Sequence, residues 1–517
     1  MREPFPAGRQ FSSVWHSALV GSVFLVLTAC GGKDSEAPTP MSQLSDIVVG
    51  TPAAGPTPFI SYVPLSGQSL KQVVAYHYVI SPKTGAVSRP VNVSYTTGAL
   101  SGKGYYTDGS ANSTLPIFGL YAGRANLVEV QVQFSDNSTQ TFPVSVTTPP
   151  YVDPNGIFDR ANVIKKRESS QSGDISYFFL KTFAPGPIVI DTDAEIRWVP
   201  PEPINGYSST FSDNSFIIGA PTSLALDRLG LDGRRASTTL TPTSYYSSFH
   251  HNIGQGKQGL LGELDGMLNG VKNLESVIVD FDPAGKVMKS WDFVDIISQH
   301  MRANGDDPTL FVRPGVDWFH NNSAIYDKRD DSLIVSSREN FVIKVDYNTG
   351  AIKWILGDPT KYWYTFPSLR AKALTLDAGG LYPIGQHALS ITPDGQLLLF
   401  NNGGASFYQP VGAPAGEKRT FSAGSAYDID PANMKAKEGW QFDYNQSIYS
   451  DVCSSVYATT GGSMLLDYAA AEGRTKARIV GLDPAHNVTF DFEYIVKDTC
   501  NSGWNAEPIA FDGISFK

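Results

Sequence analysis

The chain has few charged residues, no basic stripe and almost no amphipathic helical periodicity. Asp, Glu, Lys and Arg make up 17% of its 517 residues, and the formal net charge is −10. An acidic chain without a basic patch is unsuited to nucleic acid, so we expect no nucleic-acid partner. The weak helical periodicity, together with 48 glycines, 34 prolines and many aromatic residues, predicts an all-β fold with many turns.

Two common catalytic signatures are also absent. The sequence has no P-loop that would hold the phosphates of a nucleotide donor. It has no G-x-S-x-G elbow that would expose a nucleophilic serine. We therefore expect chemistry without a nucleotide and without any other cofactor.

The N-terminus carries the pattern of an export signal. Arg2 and Arg9 precede an apolar run, Ala18–Ala29, that is too short to span a bilayer stably. The run ends in L-T-A-C at Cys30, which is the pattern of a bacterial lipobox. This predicts a signal peptide over residues 1–29, lipid on the Cys30 thiol and a tether over residues 30–44. The alternative is a plain secretory signal with an incidental cysteine.

The predicted location is the bacterial cell envelope, facing the periplasm, with membrane contact through the lipid alone. Gly31 rather than an aspartate follows Cys30, which favours the outer membrane over the inner one. The other two cysteines, Cys453 and Cys500, can pair in an oxidising compartment. Their separation does not decide the matter, and two free buried thiols remain the alternative.

Residues 45–148 are predicted to form a small β-sandwich. Apolar residues alternate with polar ones over Val128–Phe134 and again over Phe142–Val146, as expected for strands with one buried face. The polar segment Ser135–Ser138 between them predicts a hairpin turn. Pro149 and Pro150 end this domain.

Residues 151–517 contain a loose repeat of an apolar strand, an aspartate-led turn and a strand that reaches an aromatic residue. Two hairpins per unit are typical of propeller blades. We count five units and expect a sixth from Phe211–Ala225 and the chain ends, which predicts a six-bladed β-propeller. Unrelated hairpins in a large sandwich are the alternative. Clear copies of the repeat are Ile188–Trp198, Val277–Trp291 and Val342–Trp354.

Four histidines fall in segments predicted to be innermost strands, which line the channel of a propeller. They are His250 and His251 in F-H-H-N, His320 in D-W-F-H-N-N, and His387 in G-Q-H-A. Clustered histidines often bind metal. Here no carboxylate or cysteine joins them at ligand spacing, so we predict no metal and keep a metal site as an alternative.

The same segments contain residues suited to hold a tetrahedral oxyanion. Asn322 lies two residues after His320, and strand alternation predicts that both face one side. Arg338, which follows Ser336 and Ser337, is expected beside them and offers a fork of donors for sulfate or phosphate oxygens. His387 is placed as the nucleophile and His251 as the group that protonates the leaving oxygen.

The ordered motifs D-W-F-H-N-N, Y-D-x-x-D-D-S-L-I-V-S-S-R, K-V-D-Y-N-T-G-A-I-K-W-I-L-G and G-Q-H-A resemble the bacterial arylsulfotransferase family. The resemblance is dense over about residues 249–468. It implies a periplasmic six-bladed propeller with a small N-terminal β-sandwich. It also implies ping-pong transfer of sulfate from a phenolic ester to a phenol, through a sulfohistidine and without a nucleotide donor.

The resemblance assigns residues by position. His387 matches the family's nucleophile, and Asn252 stands where an aspartate is common. A late hydroxyl residue of the family falls on Ser454 or Ser455. The remaining catalytic positions fall on His320, Asn322, Arg338 and His251, with His250 as the fallback for His251.

The sequence thus predicts an arylsulfate sulfotransferase whose partners are a phenolic sulfate donor and a phenol acceptor. A non-catalytic ligand-binding propeller lipoprotein and a quinone- or metal-dependent oxidoreductase are the alternatives. Aromatic residues near the motifs could stack on a phenol ring, although most are expected to pack between blades. They are Trp318, Phe319, Phe407 and Tyr408.

Overall fold

Nearly all regular structure in the described part of the chain is β-strand. The computed structural model describes residues 39–268 and 270–517. The predicted signal peptide, Cys30 and the first part of the predicted tether lie outside these residues. Among the described helices, none is long and apolar enough to cross a membrane. The all-β prediction is confirmed.

Residues before 150 form two sheets that face a shared apolar core. The predicted hairpin is present as Ala125–Phe134 and Thr139–Thr147, with Asn137 in the left-handed region (φ 66°) of its turn. The last strand of the chain, Ile514–Phe516, returns to pair in parallel with Val91–Thr96. The remaining strands of these sheets are Val48–Val49, Ala53–Ala54, Ile60–Ser66, Val73–Ile80 and Asn112–Phe118.

Six sheets follow along the chain and are numbered 1 to 6 here, with the strands of each given from the innermost outward. Their strands pair antiparallel, except that Thr375–Leu376 pairs in parallel with Lys435–Phe442. Sheet 1 contains Asn505–Pro508, Tyr177–Lys181, Ile188–Asp191 and Ile196–Trp198. Sheet 2 contains Ser208–Ser212, Ser215–Gly219, Ala225–Gly230 and Arg235–Thr239. Sheet 3 contains Tyr246–Gln255, Leu260–Leu268, Val271–Phe281 and Val287–Asp292. Sheet 4 contains Asn321–Asp327, Ser332–Ser337, Phe341–Asp346 and Ile352–Leu356. Sheet 5 contains His387–Ile391, Leu397–Asn401, Ala423–Asp430, Lys435–Phe442 and Thr375–Leu376. Sheet 6 contains Ser455–Ala458, Met464–Ala470, Lys476–Leu482, Val488–Ile495 and Asn162–Lys165.

The first strands of neighbouring sheets contact one another from sheet 2 through sheet 6, and the first strand of sheet 6 contacts that of sheet 1. This is the arrangement of blades in a β-propeller. Three of the first strands contain or directly follow the predicted histidine segments, so those segments converge at one place.

The sequence predicted that the chain ends would join Phe211–Ala225 in one unit, but the C-terminal part of the chain completes a different sheet. Phe211–Ala225 lies in sheet 2, which is built from consecutive strands, whereas Asn505–Pro508 pairs with Tyr177–Lys181 in sheet 1. The physical reason is that sheet 1 has only three strands of its own. The chain before them, Asn162–Lys165, is already paired at the outer edge of sheet 6.

Helices are few and short. The longest helix, Phe293–Ala303, begins after Asp292, whose side chain accepts a hydrogen bond from the Val294 N–H and caps the first turn. Its buried face packs in the core of sheets 3 and 4. The other helical segments are Met41–Gln43, Gln68–Gln72, Thr97–Gly102, Tyr362–Thr365, Pro367–Arg370, Tyr444–Gln446 and Ala471–Arg474.

The N-terminal sheets share one core with sheets 1 and 2. Arg197 is buried at this junction, where its guanidinium donates to the Gly119 carbonyl and to Asp191 Oδ2 at 2.9 Å. Trp198 donates its indole N–H to the Leu231 carbonyl. Removing one partner of such a buried ion pair costs about 3–5 kcal/mol, because the other charge is left uncompensated.

Candidate active site

The predicted site residues lie at irregular points of three first strands. Register shifts fall between Phe249 and Ile253 in sheet 3, between Asn321 and Ser323 in sheet 4, and after His387 in sheet 5. Such β-bulges insert extra residues and redirect side chains, and they are common beside active sites. The bulges therefore change the directions in which the side chains of the histidine segments point in these three sheets.

Backbone strain coincides with the bulge in sheet 4. His320 has φ 51°, an unusual conformation for a non-glycine residue, and Asn322 is the extra residue of the bulge. The regular two-residue alternation predicted for His320 and Asn322 therefore does not apply. Arg338 lies beside His320 as predicted, because its backbone N–H donates to the His320 carbonyl at 3.0 Å.

His387 is buried and held by one ring nitrogen. Its Nδ1 lies 2.8 Å from Asn402 Oδ1 and 3.0 Å from the Gly385 carbonyl oxygen. Both neighbours are acceptors, so we assign the proton to Nδ1 and the lone pair to Nε2. Burial, with the nearby charges of Arg338 and His320, lowers the pKa of His387 to about 3. The ring is therefore neutral, with Nε2 free to act as a nucleophile.

Asn402 is fixed by a set of backbone acceptors. Its Nδ2 donates to the carbonyls of Ser450 at 2.7 Å and Cys453 at 3.0 Å, which turns Oδ1 toward His387. Cys453 is joined to Cys500 by a disulfide with Cα atoms 6.4 Å apart. The disulfide is thus connected to the candidate nucleophile, His387, by two hydrogen bonds that both involve Asn402.

His320 is held between two carboxylates. Its Nδ1 lies 2.6 Å from Glu275 Oε2 and 2.6 Å from Asp317 Oδ2. Burial by itself lowers the pKa of His320, but the charge of Glu275 and the hydrogen bond to Asp317 raise it to about 9. His320 is therefore an imidazolium near neutral pH, and its Nε2 is a charged donor.

His251 and His250 have the opposite charge state. Burial lowers the pKa of His251 well below its ordinary value, and burial also lowers the pKa of His250. The His251 ring lies 4.7 Å from that of His320 and 5.0 Å from that of Trp504. His250 contacts the other site histidines through His251, and the Nδ1 atoms of the two rings are 2.8 Å apart. His251 is therefore the histidine nearer to the site.

Arg338 has donor groups that its neighbours do not use. Its Nη2 donates to Glu339 Oε1 at 2.6 Å, whereas its buried Nε has no hydrogen-bond partner among the described residues. Arginine binds oxyanions through such N–H groups. The guanidinium also lies under the Phe407 ring, 4.2 Å from its centre.

The hairpin that carries Arg338 is tied to the strand of His387 by Gln386. The Gln386 side chain donates to the Ser337 carbonyl at 2.8 Å, and the backbone carbonyl of Gln386 accepts from Asn322 Nδ2 at 2.8 Å. One amide N–H of Asn322 therefore holds the backbone next to His387. The buried Oδ1 of Asn322 has no hydrogen-bond partner within the described chain.

Ser454 and Ser455 are fully buried and use their hydroxyls locally. Ser454 Oγ lies 2.8 Å from Ser450 Oγ and accepts from the Ala469 N–H. Ser455 Oγ bonds to the backbone of Ala506. No described hydrogen bond connects either hydroxyl to the site histidines, and a substrate-binding role for them stays a prediction.

Two groups of side chains have metal-ligating atoms within 4.8 Å of one another. In each of them a carboxylate distant in sequence joins the histidines. The 2.6 Å separation of His320 Nδ1 from Glu275 Oε2 is a hydrogen-bond distance. Two ligands on a tetrahedral zinc ion would be about 3.3 Å apart. The groups are His250, His251 and Glu263, and His251, Glu275 and His320.

Sequence reasoning missed four residues of this site. Asp317 stands inside the motif D-W-F-H-N-N named above, Glu339 directly follows Arg338, and Asn402 lies in the polar pair Asn401–Asn402 that ends an apolar strand. These three had a local signal. Glu275 had none, because it reaches His320 only through the packing of sheet 3 against sheet 4.

Comparison with models of protein families shows to which family the chain belongs. The model of the family described as Arylsulfotransferase (ASST) matches residues 161–505. The chain belongs to this family. The match includes every candidate histidine, Arg338 and Asn402.

Two relatives of the arylsulfotransferase family share low identity with this chain. The arylsulfate sulfotransferase AssT of Escherichia coli O6:H1 (strain CFT073) is 25% identical over an alignment of 231 positions that covers 36% of this chain and 38% of that protein. The arylsulfate sulfotransferase AssT of Lelliottia amnigena is 22% identical over an alignment of 523 positions that covers 81% of this chain and 83% of that protein.

Among solved structures, the β-propeller domain of Cps50 (Swd1) from Myceliophteria thermophila is 12% identical with a TM-score of 0.33. The match covers 63% of this chain and 87% of that domain. The WD40 domain of Toxoplasma gondii coronin is 9% identical with a TM-score of 0.32, over 75% of that chain and 66% of this one.

Proposed function

We propose that the protein is an arylsulfate sulfotransferase that moves a sulfuryl group from a phenolic ester to a phenol through a sulfohistidine at His387. The observation that carries the proposal is the contact of His387 Nδ1 with Asn402 Oδ1 and the Gly385 carbonyl, which leaves Nε2 unprotonated. The body would be a six-bladed propeller over residues 151–517, preceded by a β-sandwich over residues 45–148.

In the first half-reaction, the lone pair of His387 Nε2 attacks sulfur. The N–S bond forms while the S–O bond to the aryl group breaks, and the electron pair leaves with the phenolate. The free N–H of Arg338 and the charged N–H of His320 are the donors for the sulfuryl oxygens, where they match developing negative charge. The His320 imidazolium is also the acid available to the phenolate, since its pKa is about 9.

In the second half-reaction, the hydroxyl of the acceptor phenol attacks the sulfohistidine. His251 takes the hydroxyl proton, because its lowered pKa keeps it unprotonated. The S–O bond forms, the N–S bond breaks and His387 is regenerated. Glu275 Oε2 lies 3.7 Å from His251 Nδ1 and 2.6 Å from His320 Nδ1, so its charge stabilises a proton on either ring. The proton taken by His251 passes to solvent, from which His320 Nε2 is reprotonated. These charge states favour His320, rather than His251 as expected from sequence, as the acid.

The two relatives support this reaction class, since both are named arylsulfate sulfotransferase. A phenolic sulfate donor and a phenol acceptor are the partners that such a reaction needs, and no nucleotide sulfate donor is required. We propose in addition that the protein is held to the cell envelope by lipid on Cys30 and faces the periplasm.

The test is turnover of p-nitrophenyl sulfate with and without phenol. We expect acceptor-dependent release of nitrophenol, loss of release in His387→Asn, and one SO₃ group on His387 when the wild-type protein is quenched without acceptor and mapped by mass spectrometry. His486→Asn, at an exposed turn with φ 64° that asparagine accepts, is the matched control and should turn over normally. Undiminished release in His387→Asn, or the SO₃ group on another residue, would contradict the proposal.

A further inference from the structure

The segment 402–422 connects two strands of sheet 5 and is here called the 402–422 loop. It contains no helix or strand of its own. Connections longer than roughly 12–15 residues without regular structure are uncommon in compact domains and are usually functional. The loop begins at Asn402, which holds His387, so it starts inside the site.

Glu339 anchors the first half of the loop to the site arginine. Its buried carboxylate accepts from Arg338 Nη2 through Oε1, and from the backbone N–H groups of Phe407 and Tyr408, each at 2.8 Å, through Oε2. The Ser406 hydroxyl donates to the Glu339 carbonyl at 2.6 Å. One carboxylate therefore fixes the position of two aromatic residues relative to the guanidinium.

These two aromatic residues are open to solvent, unlike the others near the motifs. Phe407 is 52% exposed and Tyr408 44% exposed, whereas Trp318 and Phe319 are buried. Trp318 packs against Phe311, and Phe319 stacks on Phe293. The expectation that most of the aromatic residues pack between blades therefore holds for the latter pair, but not for Phe407 and Tyr408.

We propose that Phe407 and Tyr408 form the surface that binds the aromatic ring of the sulfate ester while Arg338 holds its sulfate. The ring of a phenolic sulfate begins two bonds from sulfur, so a side chain that contacts the guanidinium also lies within reach of that ring. The Phe407 ring covers Arg338 at 4.2 Å and still exposes half of its surface. An aryl sulfate matches the pair, since it joins one negative charge to one flat apolar ring.

This inference deepens the proposed function and rests on it for the identity of the substrate. It makes the 402–422 loop the element that selects aromatic over non-aromatic sulfates. Stacking between aromatic rings strengthens binding beyond simple burial by an amount that corresponds to about 2- to 12-fold in affinity.

The experiment compares Phe407→Ala and Tyr408→Ala with Val411→Ala, whose side chain is fully exposed on the same loop. We expect each aromatic deletion to raise KM for p-nitrophenyl sulfate about 2- to 12-fold, Phe407→Tyr to restore it, and Val411→Ala to leave it unchanged. A KM unchanged in both aromatic deletions would overturn the inference.

Equilibrium binding separates this inference from the proposed reaction. In the His387→Asn background, calorimetry with p-nitrophenyl sulfate and with inorganic sulfate measures ring and charge recognition separately. We expect Phe407→Ala to weaken the binding of p-nitrophenyl sulfate and to leave the binding of inorganic sulfate unchanged. Equal weakening of both would mean that Phe407 acts through Arg338 alone, and the inference would fail. Should the wild-type protein show no turnover, the proposed function falls while this comparison still decides the role of the loop.

Discussion

Glu275 Oε2 lies 2.6 Å from Nδ1 of His320, although the two residues come from different sheets. Glu275 adopts φ 43° at an irregular point of its strand, so the backbone is strained where the carboxylate is needed. The contact keeps His320 charged beside Arg338 while His251 and His387 stay neutral. The site thus combines a neutral nucleophile with two cationic donors.

Activity should depend on the protonated form of His320. Its pKa is raised to about 9, so kcat/KM should fall as pH rises through about 9, and the stability that this contact contributes should be lost over the range from 6.5 to 9. Glu275→Gln removes one negative charge, and we expect the fall to move about 1–3 pH units lower. The measurement is kcat/KM against pH, with the His320 ring titrated by NMR.

Glu129→Gln is the control for this charge change, because Glu129 is exposed in the N-terminal sheets. It should leave the pH profile in place. An unaltered basic limb in Glu275→Gln would show that the charge of Glu275 does not set the protonation of His320.

Asn402→Ala should lower kcat without unfolding the protein. The variant removes one of the two acceptors at His387 Nδ1, and the loss of such a buried hydrogen bond corresponds to about 5- to 150-fold in rate. NMR of the ring nitrogens should show a mixture of His387 tautomers. Asn433→Ala, at an exposed turn, should keep wild-type kcat. A single Nδ1–H tautomer in Asn402→Ala would contradict the assigned role.

Reduction of the Cys453–Cys500 disulfide should destabilise the protein and slow turnover together. The bond closes a sequence separation of 47 residues, which corresponds to about 4 kcal/mol in the chain-entropy account. Cys453 also holds Asn402 through its carbonyl. The double variant Cys453→Ser/Cys500→Ser should therefore show a lower Tm and a lower kcat than the wild type, and its Tm should not respond to reductant. An equal Tm for oxidised and reduced wild-type protein would speak against this contribution.

The envelope anchor makes a separate prediction. Cys30→Ser should abolish incorporation of labelled fatty acid and release the protein from the membrane fraction of expressing bacteria, while turnover of the released protein is unchanged. The control is Cys500→Ser, which leaves Cys30 in place and should remain lipidated. Fatty acid retained on Cys30→Ser would exclude lipidation at this thiol.

The propeller was readable from the sequence because most strands of each sheet form a local meander, the exceptions being Asn162–Lys165, Thr375–Leu376 and Asn505–Pro508. Strand, turn and strand follow one another within each repeat, and the period of two marks the buried faces. The sixth unit expected from Phe211–Ala225 and the chain ends was wrong, because Asn505–Pro508 pairs with Tyr177–Lys181, more than 300 residues earlier in the chain. No local pattern encodes a pairing of that separation.

The sequence by itself determined which functional groups meet. His387, His320, Arg338 and His251 stand in short motifs at the inner strands, so their identity and approximate place followed from order and spacing. Only the tertiary structure decided their chemical states. Those states depend on partners from other segments, namely Asn402 for His387 and Glu275 for His320. Proton positions and pKa values respond to distances of a few ångströms, and the bulges and sheet packing that set those distances leave no regular period in the sequence.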